Sequence, residues 1–325
     1  MNKENQSTVQ FHKMYGTEEQ CREKLLKTRW PNGFRCPNCE HAFGYWLEKK
    51  QVYQCAVCNQ QASVTSGTIF HNTHLPLTVW FYMIFQFSMS KNGCSATQLA
   101  AELQRPYKTI WHVLHKIRFA MGQRDSQITL AGLIEIDEAV LAPEARRPFK
   151  KEFAEQEETQ VKKPRGKRLG RLPADGKRKK DQIEVLVMAE AEQFHIGSIA
   201  LKKMDWVDHS TIQEFVEKRV EENKQYFRTD KRQSHDVLRS MGHDLVMKKS
   251  GKDGCKDLPV VHRVIHLLKH ALMSAYHGVS RKYLPGYLNE FAFRFQRKDS
   301  VETKPDSLLR ACIFSVPITY AEQKL

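Results

Sequence analysis

Apolar and acidic side chains alternate in the stretch Leu-Ile-Glu-Ile-Asp-Glu at residues 133–138, which continues as Ala-Val-Leu. A period of two predicts a β-strand, with both isoleucines and Glu138 on one face and Asp137 on the other. A carboxylate within a core strand is costly to bury unless it is paired, and a divalent metal ion is a strong partner for it. Asp137 is therefore a candidate metal ligand. The alternative is a strand end at which Asp137 faces water or an arginine.

The same reasoning predicts the elements that follow this strand. They are a strand at 183–191, a strand at 194–201, a helix at 211–220 and a strand at 226–230. The first three strands are predicted to form an antiparallel meander. Strand, strand, strand, helix, strand is the order of an RNase H-like core, in which a carboxylate of the first strand lies beside one at the end of the fourth. We therefore expect Asp137 and Asp230 to share metal ions.

A helical period governs residues 77–118. Residues 77–90 are apolar nearly all round, which predicts a buried helix. Residues 95–103 and 108–118 form two short amphipathic patterns with a tight connection, as in a helix-turn-helix. The predicted core consists of Leu99, Leu103, Ile110, Val113, Leu114 and Ile117, and the predicted exposed side of Lys108, Thr109, Trp111, His112 and His115. A small helical bundle without DNA binding is the alternative.

A second predicted metal site lies nearer the N-terminus. Cys36-Pro-Asn-Cys39 is followed after fifteen residues by Cys55-Ala-Val-Cys58. Two such pairs at this separation match a four-thiolate zinc site, which is structural because no coordination position stays open. The aromatic residues around the pairs, Phe43 and Tyr45 among them, are expected to pack the hairpins. Four unrelated thiols are the alternative.

The charge of the chain points to a polyanionic partner. Lys and Arg number 52 against 37 Asp and Glu, which gives a formal net charge of +15. Nucleic acid is the leading candidate. An anionic membrane surface is the competitor, but the longest apolar run, 77–87, is shorter than the roughly 20 residues that span a bilayer. Scattered remaining cysteines and the lack of a signal peptide favour a cytoplasmic protein.

Basic residues are concentrated between positions 162 and 180. This stretch holds ten Lys or Arg and one Asp, interleaved with Gly and Pro. The composition predicts a loop that contacts phosphates without reading sequence, and a merely solvated loop is the alternative. The candidate DNA-binding residues here are Lys162, Lys163, Arg165, Lys167 and Arg168.

A third ligand for the predicted metal site should come from a later helix. Residues 258–272 have helical spacing, and Pro259 suits a first helical turn. His262, His266, Lys269 and roughly His270 project from one stripe of this helix.

Taken together, these motifs resemble those of bacterial insertion-sequence transposases. They are the two cysteine pairs, the helical pattern at 95–118, Glu135-Ile-Asp137-Glu138, Arg228-Thr-Asp230, His262 to Lys269, and the aromatic stretches at 276–284 and 287–295. The subgroup is the ISXO2-like one, with an N-terminal zinc ribbon and a DDE-type catalytic domain. The resemblance covers residues 15–298.

The resemblance implies a multidomain α+β protein with an N-terminal zinc ribbon, a helical helix-turn-helix domain and an RNase H-like α/β catalytic core. The expected domains are 1–75 (N-terminal segment and zinc ribbon), 76–125 (helix-turn-helix region), 128–300 (catalytic domain with a basic insertion at 143–181) and 301–325 (C-terminal tail).

The resemblance also assigns roles to single residues. Asp137 and Asp230 correspond to the first two metal-binding carboxylates, and Lys269 to the associated basic residue. The third position, often Glu or Asn in relatives, is His262 here. A neutral histidine adds no negative charge and favours Mn²⁺ over Mg²⁺. Glu290 is the reserve candidate for the missing acid, and a structural salt-bridge partner is the alternative for it.

The implied activity is two-metal cleavage of double-stranded DNA at terminal inverted repeats, followed by strand transfer to target DNA. Lys269 would hold a phosphate, and Arg228 with the basic loop would add non-specific grip. We expect a homo-oligomer on DNA, associated with the nucleoid and not with a membrane. A zinc-ribbon regulator with an inactive RNase H-like domain and a structure-selective nuclease are the rival hypotheses.

Overall fold

The structure is a computed structural model of the 325-residue chain. It describes residues 8–90, 93–141, 183–192, 195–205, 207–230, 232–248, 258–276, 279–296, 304–319 and 322. The chain divides into two compact units, one of residues 1–128 with 289–325 and one of residues 129–288. None of the helices that the structure describes has the length and apolar character needed to cross a membrane.

The zinc-ribbon region is a small antiparallel sheet. Its strands are β1 (Gly44–Leu47), β2 (Val52–Cys55) and β3 (Gln61–Ala62), in that order across the sheet. Phe34 stacks on Tyr53 with ring centroids 4.7 Å apart, and Trp30 packs edge-on against both rings. Phe43 and Tyr45 were expected to pack the hairpins but are 56% and 59% exposed, because they contact each other rather than this cluster.

Helices form the rest of the first unit. They are α1 (Thr8–Tyr15), α2 (Glu18–Arg29), α3 (Leu77–Met89), α4 (Ala96–Glu102), α5 (Tyr107–Asp125) and, near the C-terminus, α10 (Lys304–Phe314). The prediction of a buried helix at 77–90 is confirmed, since Trp80, Met83 and Phe87 are at most 1% exposed. Glu18 accepts hydrogen bonds from the first two backbone N–H groups of α3, at 2.9 Å each, and so satisfies groups that a helix start leaves open.

Helices α4 and α5 correspond to the two predicted amphipathic helices. Ser95 caps α4, and the connection between the helices includes Gln104 at a left-handed φ of 50°. The predicted core is buried, apart from Leu103, which is partly buried against it. Helix α5 extends to Asp125, seven residues beyond the predicted end, because apolar residues keep the helical spacing through Met121. DNA binding by this pair stays a prediction.

Residues 301–325 differ from the predicted tail. Their helix α10 packs against α2, α3 and α5, and Leu308, Leu309 and Cys312 are buried in the core of the first unit. Asp306 also forms an ion pair of 2.7 Å with Lys24 of α2. The apolar spacing of this segment is that of a packed helix, and it belongs to the N-terminal unit. The remaining domain limits stay predictions.

The second unit is built on a sheet of five described strands. They are β4 (Leu133–Leu141), β5 (Ile183–Ala191), β6 (Ile196–Met204), β7 (Tyr226–Asp230) and β8 (Asp244–Lys248), in the order β6-β5-β4-β7-β8. The predicted antiparallel meander of the first three is confirmed, and β7 runs parallel to both β4 and β8. This topology is RNase H-like. The edge strand β8 was not predicted, because its short, half-exposed sequence shows no clear alternation.

Helices cover both faces of this sheet. They are α6 (His209–Arg219), α7 (Val237–Ser240) and α8 (Pro259–Tyr276), and α9 (Leu284–Gln296) follows them. Ile134 and Ile136 of β4 lie in one core with the apolar face of α6. Helix α8 packs against β4 and β5. Strand β4 is therefore covered on both faces, so each polar side chain on it needs a partner to offset the cost of burial.

Strands β4 and β5 pair up to their shared end, where Leu141 lies opposite Ile183. The residues between them, 142–182, lie outside the described residues. They include the predicted basic insertion and its candidate DNA-binding residues Lys162, Lys163, Arg165, Lys167 and Arg168. Both ends of the insertion are thus attached to one end of the sheet.

Candidate active site

Three carboxylates converge where the end of β7 lies beside the middle of β4. One oxygen each of Asp137, Glu138 and Asp230 lies within 4.8 Å of the others. The parallel pairing of β4 with β7 brings the two aspartates together, since its last pair is Ile136 with Thr229, and Asp137 and Asp230 are the next residues on each strand. The sheet itself therefore places two acids side by side that are distant in sequence.

His262 completes this cluster from the first turn of α8. Its Nε2 lies 3.0 Å from Asp137 Oδ2. The hydrogen bond with Asp137 raises the pKa of His262, against the opposing effect of burial. The helix is fixed in position by the wholly buried Glu135, whose Oε2 accepts hydrogen bonds from the backbone N–H groups of Val260 (2.8 Å) and Val261 (2.9 Å). A carboxylate at a helix N-terminus is favourable because it meets the positive end of the helix dipole.

Two cationic side chains lie against the acids. Arg232 Nη1 and His235 Nε2 are 3.2 Å and 3.3 Å from Glu138 Oε1. The same two side chains reach Asp230, through Arg232 Nε at 3.8 Å and His235 Nδ1 at 3.4 Å. The hydroxyl of Thr229 also contacts His235 Nδ1.

The charges of these groups reinforce one another. Burial alone would lower the pKa of His235, but Asp230 and Glu138 raise it to about 9. Burial acts to raise the pKa of Asp230, yet His235 and Arg232 outweigh that effect and lower it. Asp230 is therefore an anion at neutral pH, as a metal ligand must be.

The donor set fits a hard divalent cation. Carboxylate oxygens dominate the cluster, and neither oxygen of Glu138 has a hydrogen-bond partner among the described residues, although both are buried. A buried carboxylate without hydrogen bonds is costly. Oxygen ligands are those that Mg²⁺ and Mn²⁺ prefer, and the imidazole of His262 adds a ligand better suited to Mn²⁺.

Lys269 and Arg228 lie near the cluster in different ways. Lys269 is half-buried on α8, two turns beyond His262; burial lowers its pKa while the charge of Asp137 opposes this. Arg228 pairs in register with Glu135, and their side chains approach to 4.0 Å. Arg228 remains 40% exposed, so its predicted contact with DNA stays open to test.

The four predicted zinc ligands lie together in the first unit. Their sulfurs are all within 4.8 Å of one another, with Cys36 and Cys58 3.6 Å apart and Cys39 and Cys55 3.5 Å apart. A left-handed residue follows each pair, Glu40 with φ 59° and Asn59 with φ 55°. The backbone N–H of Gln60 contributes most to lowering the pKa of Cys58 to about 6. Four converging thiols fit a tetrahedral zinc ion.

The predicted DNA-facing residues of α5 differ in exposure. Lys108 is exposed, and Thr109, Trp111 and His112 are half-buried. His115 was expected on or near the exposed face, but this is wrong, because it is 4% exposed and its ring lies against that of Trp111, one helical turn earlier. Burial, with the charge of Arg118, lowers the pKa of His115 to about 3.

Glu290, the reserve acid, lies in the first unit. It is 3% exposed, and its two oxygens accept hydrogen bonds of 2.9 Å from Arg118 Nε and Arg294 Nε. It is therefore a structural salt-bridge partner, the alternative that its aromatic surroundings favoured.

Sequence reasoning gave no role to four residues of the cluster: Glu135, Glu138, Arg232 and His235. The alternation in β4 placed Glu138 on the face opposite Asp137, which hid their proximity. A usable signal was the presence of three acids within four residues of a core strand. Nothing in the local pattern marks His235.

Comparisons with known proteins agree with these features. The ISXO2-like transposase domain matches residues 129–296, and the transposase zinc-ribbon domain matches residues 16–61. A protein of Halobacterium salinarum, described as an uncharacterized protein in transposable element ISH50, is 30% identical over 129 residues. That match covers 39% of this chain and 42% of the relative, so it spans less than half of either.

Solved structures of the Mos1 transposase show a looser similarity. The pre-cleavage Mos1 transpososome has 13% sequence identity and a TM-score of 0.27, covering 75% of this chain and 79% of that one. The Mos1 strand transfer complex has 12% identity and a TM-score of 0.29, covering 71% and 74%. Similarity at this level supports no residue correspondence.

Proposed function

Because the chain belongs to the ISXO2-like transposase family, whose domain covers just over half of it, we propose that it is a DNA transposase with a metal-dependent active site. It cuts DNA at the terminal inverted repeats of an insertion sequence and joins the freed ends to target DNA. The observation that carries this proposal is the convergence of Asp137, Asp230 and His262 from β4, β7 and α8.

In this proposal Asp137, Asp230 and His262 hold Mg²⁺ or Mn²⁺. When bound, such ions would lower the pKa of an attacking water or of the DNA 3′ hydroxyl and would stabilise the negative charge on the leaving oxygen. The protein's own part is to fix the ligands. Glu135 anchors the first turn of α8, so that His262 stays against Asp137. Lys269, seven positions beyond His262, holds a phosphate of the bound end.

The N-terminal unit selects the DNA end. Its four cysteines hold a structural Zn²⁺, which orders a ribbon whose sheet is too small to fold on its own. Helix α5 offers Lys108, Thr109, Trp111 and His112 to the repeat. Arg228 and the basic residues at 162–168 add sequence-independent phosphate contacts, so binding weakens steeply with added salt. Two ends must be joined together, so the protein acts on DNA as at least a dimer.

The decisive experiment is incubation of the full chain with its flanking DNA ends and Mn²⁺ or Mg²⁺, followed by mapping of cleavage and joining products. Asp137→Ala and Asp230→Ala should abolish cleavage and leave end binding intact. Glu190→Ala provides a control, since this β5 carboxylate accepts backbone hydrogen bonds from Ala131 and Ser198 and lies outside the acid cluster.

The other two outcomes of this experiment each support one of the rival hypotheses. End binding without cleavage in either metal indicates a regulator with an inactive domain. Cleavage without preference for the repeats and without joining indicates a structure-selective nuclease.

The role of His262 is tested separately. His262→Ala should reduce cleavage and His262→Glu should retain it, with the preference shifted from Mn²⁺ towards Mg²⁺, because a carboxylate replaces a softer nitrogen ligand. Unchanged activity of His262→Ala excludes it as a ligand.

A further inference from the structure

We propose that Glu138 is a metal-binding residue that supplies the third carboxylate of the active site. The inference rests on the proposed metal-dependent function. His262 adds no negative charge, so the site has two aspartates and no third acid from α8, whose sequence contains none. The structure offers one from β4 instead, directly beside Asp137.

Position is the first argument. An oxygen of Glu138 lies within 4.8 Å of one from Asp137 and one from Asp230, a spacing that a single cation can bridge. Neighbouring residues on a strand normally point to opposite faces. Here the pairing of β4 with β7 stops at Ile136 and Thr229, so Asp137 and Glu138 both lie beyond the last pair, and their oxygens approach despite the alternation.

The second argument is that Glu138 has binding capacity left. Its side chain is completely enclosed, and neither oxygen accepts a hydrogen bond from a described residue. Both ion-pair contacts, from Arg232 and His235, reach the same atom, Oε1. Oε2 is buried and accepts no hydrogen bond from a described residue. A carboxylate oxygen held in this state costs free energy unless a cation or another donor satisfies it.

The third argument is how the acid is held. Arg232 and His235 each lie against both Glu138 and Asp230, so the two carboxylates are bridged twice. His235 is wholly buried, which fixes the orientation of its ring. These bridges keep the two acids close despite their mutual repulsion. Asp137 and His262 form the remaining side of the cluster.

A purely structural role is the competing explanation, in which Glu138 only balances the charges of Arg232 and His235. The two roles differ in what they predict for metal affinity. A ligand contributes directly to Mn²⁺ binding. A counter-ion contributes to folding stability, and its replacement leaves the affinity of a folded protein nearly unchanged.

The test measures Mn²⁺ affinity of the full chain by isothermal titration calorimetry, with thermal unfolding followed in parallel. Glu138→Gln keeps the shape and removes the charge, and Glu138→Asp keeps the charge and withdraws the oxygens. Both should weaken Mn²⁺ binding at least about tenfold, and Asp137→Asn should do the same. Glu190→Gln, on the neighbouring strand, should leave the affinity within about twofold.

The outcomes separate this inference from the proposed function. If folded Glu138 variants bind Mn²⁺ with wild-type affinity, Glu138 is not a ligand. Loss of Mn²⁺ binding in Asp137→Asn would then still support the metal site proposed for Asp137. Absence of Mn²⁺ binding by the wild-type chain overturns both. If Glu138→Gln does not fold, the charge-conserving Glu138→Asp variant decides.

Discussion

Two buried glutamates, one in each unit, differ in how completely they are satisfied. Glu290 and Glu138 are 3% and 9% exposed, and each lies beside two cationic side chains. Each oxygen of Glu290 accepts a hydrogen bond of 2.9 Å from a different guanidinium. Neither oxygen of Glu138 accepts one from a described residue.

The two glutamates also differ in what their cationic partners connect. Arg294, one partner of Glu290, also donates to the carbonyls of Phe87 (2.7 Å) and Ser90 (2.6 Å) at the end of α3, so this cluster ties helices together. The contacts of Glu138 tie it instead to another acid, Asp230. A buried ion pair with all its hydrogen bonds made is a structural interaction, whereas the buried acid without hydrogen bonds is the observation behind the proposed role of Glu138.

The largest expected effect separates the two clusters by activity. Asp230→Asn should reduce metal-dependent cleavage about a thousandfold or more, since loss of a metal ligand removes several kcal/mol of transition-state stabilisation. Cleavage of a labelled DNA end with Mn²⁺ measures this. Glu290→Gln, if folded, should cleave at nearly the wild-type rate, and an equal loss in both variants contradicts the distinction.

The next effect separates them by stability. Glu290→Ala should lower the free energy of unfolding by about 3 kcal/mol or more, because Arg118 then remains buried, at 2% exposure, without that partner. Urea denaturation followed by circular dichroism measures the change. Asp230→Asn should cost clearly less, because Arg232 and His235 keep Glu138 as a partner. Equal losses of unfolding free energy in Glu290→Ala and Asp230→Asn would contradict the distinction between a structural cluster and a ligand site.

A smaller effect concerns pH. His115, in the Glu290 unit, has a pKa of about 3 in the folded chain, below its ordinary value of 6.5. The unfolded chain therefore binds the extra proton first, and the stability that neutral His115 contributes is lost as pH falls below 6.5. His115→Gln should reduce the acid-induced loss between pH 7 and pH 4 by about 2 kcal/mol. Denaturation curves that keep the wild-type slope against pH contradict this.

The smallest effect sets the scale for an unburied pair. Glu23 and Lys27 form an ion pair in α2 with 60% and 72% of their side chains exposed. Glu23→Ala should change the free energy of unfolding by about 0.5 kcal/mol or less, because water and salt screen exposed charges. The same urea titration measures it. If Glu23→Ala lowers the free energy of unfolding as much as Glu290→Ala does, burial does not explain why the Glu290 ion pairs matter more.

Periodicity predicted most of the second unit. Strands β4, β5 and β6 and helix α8 were predicted because each has a long, regular pattern. Asp137 and Asp230 were selected because the first lies in a core strand and the second ends the short strand β7, which was also predicted. Their catalytic role stays a prediction. Strand β8 escaped because it is a short edge strand, and its pairing with β7 depends on tertiary contacts.

Glu138 and His235 show where sequence reasoning stops. Strict alternation assigns Glu138 to the face opposite Asp137, yet one oxygen of each lies within 4.8 Å of the other. His235 follows β7 in a short helical turn without any periodic signal. The tail at 301–325 and His115 were misassigned for a related reason: exposure depends on what packs against a helix, which the helix sequence alone does not fix.

Leu141 and Ile183 face each other at the end of β4 and β5, four positions beyond Asp137, or about 13 Å along the strand. The insertion between these two residues is therefore joined at both of its ends to the same end of the β4–β5 pair. Closing a longer loop costs only about 0.6 kcal/mol per doubling of its length. A change in the length of the insertion at 142–182 should therefore alter the free energy of folding little, and the pairing of Asp137 with Val187 can stay as it is.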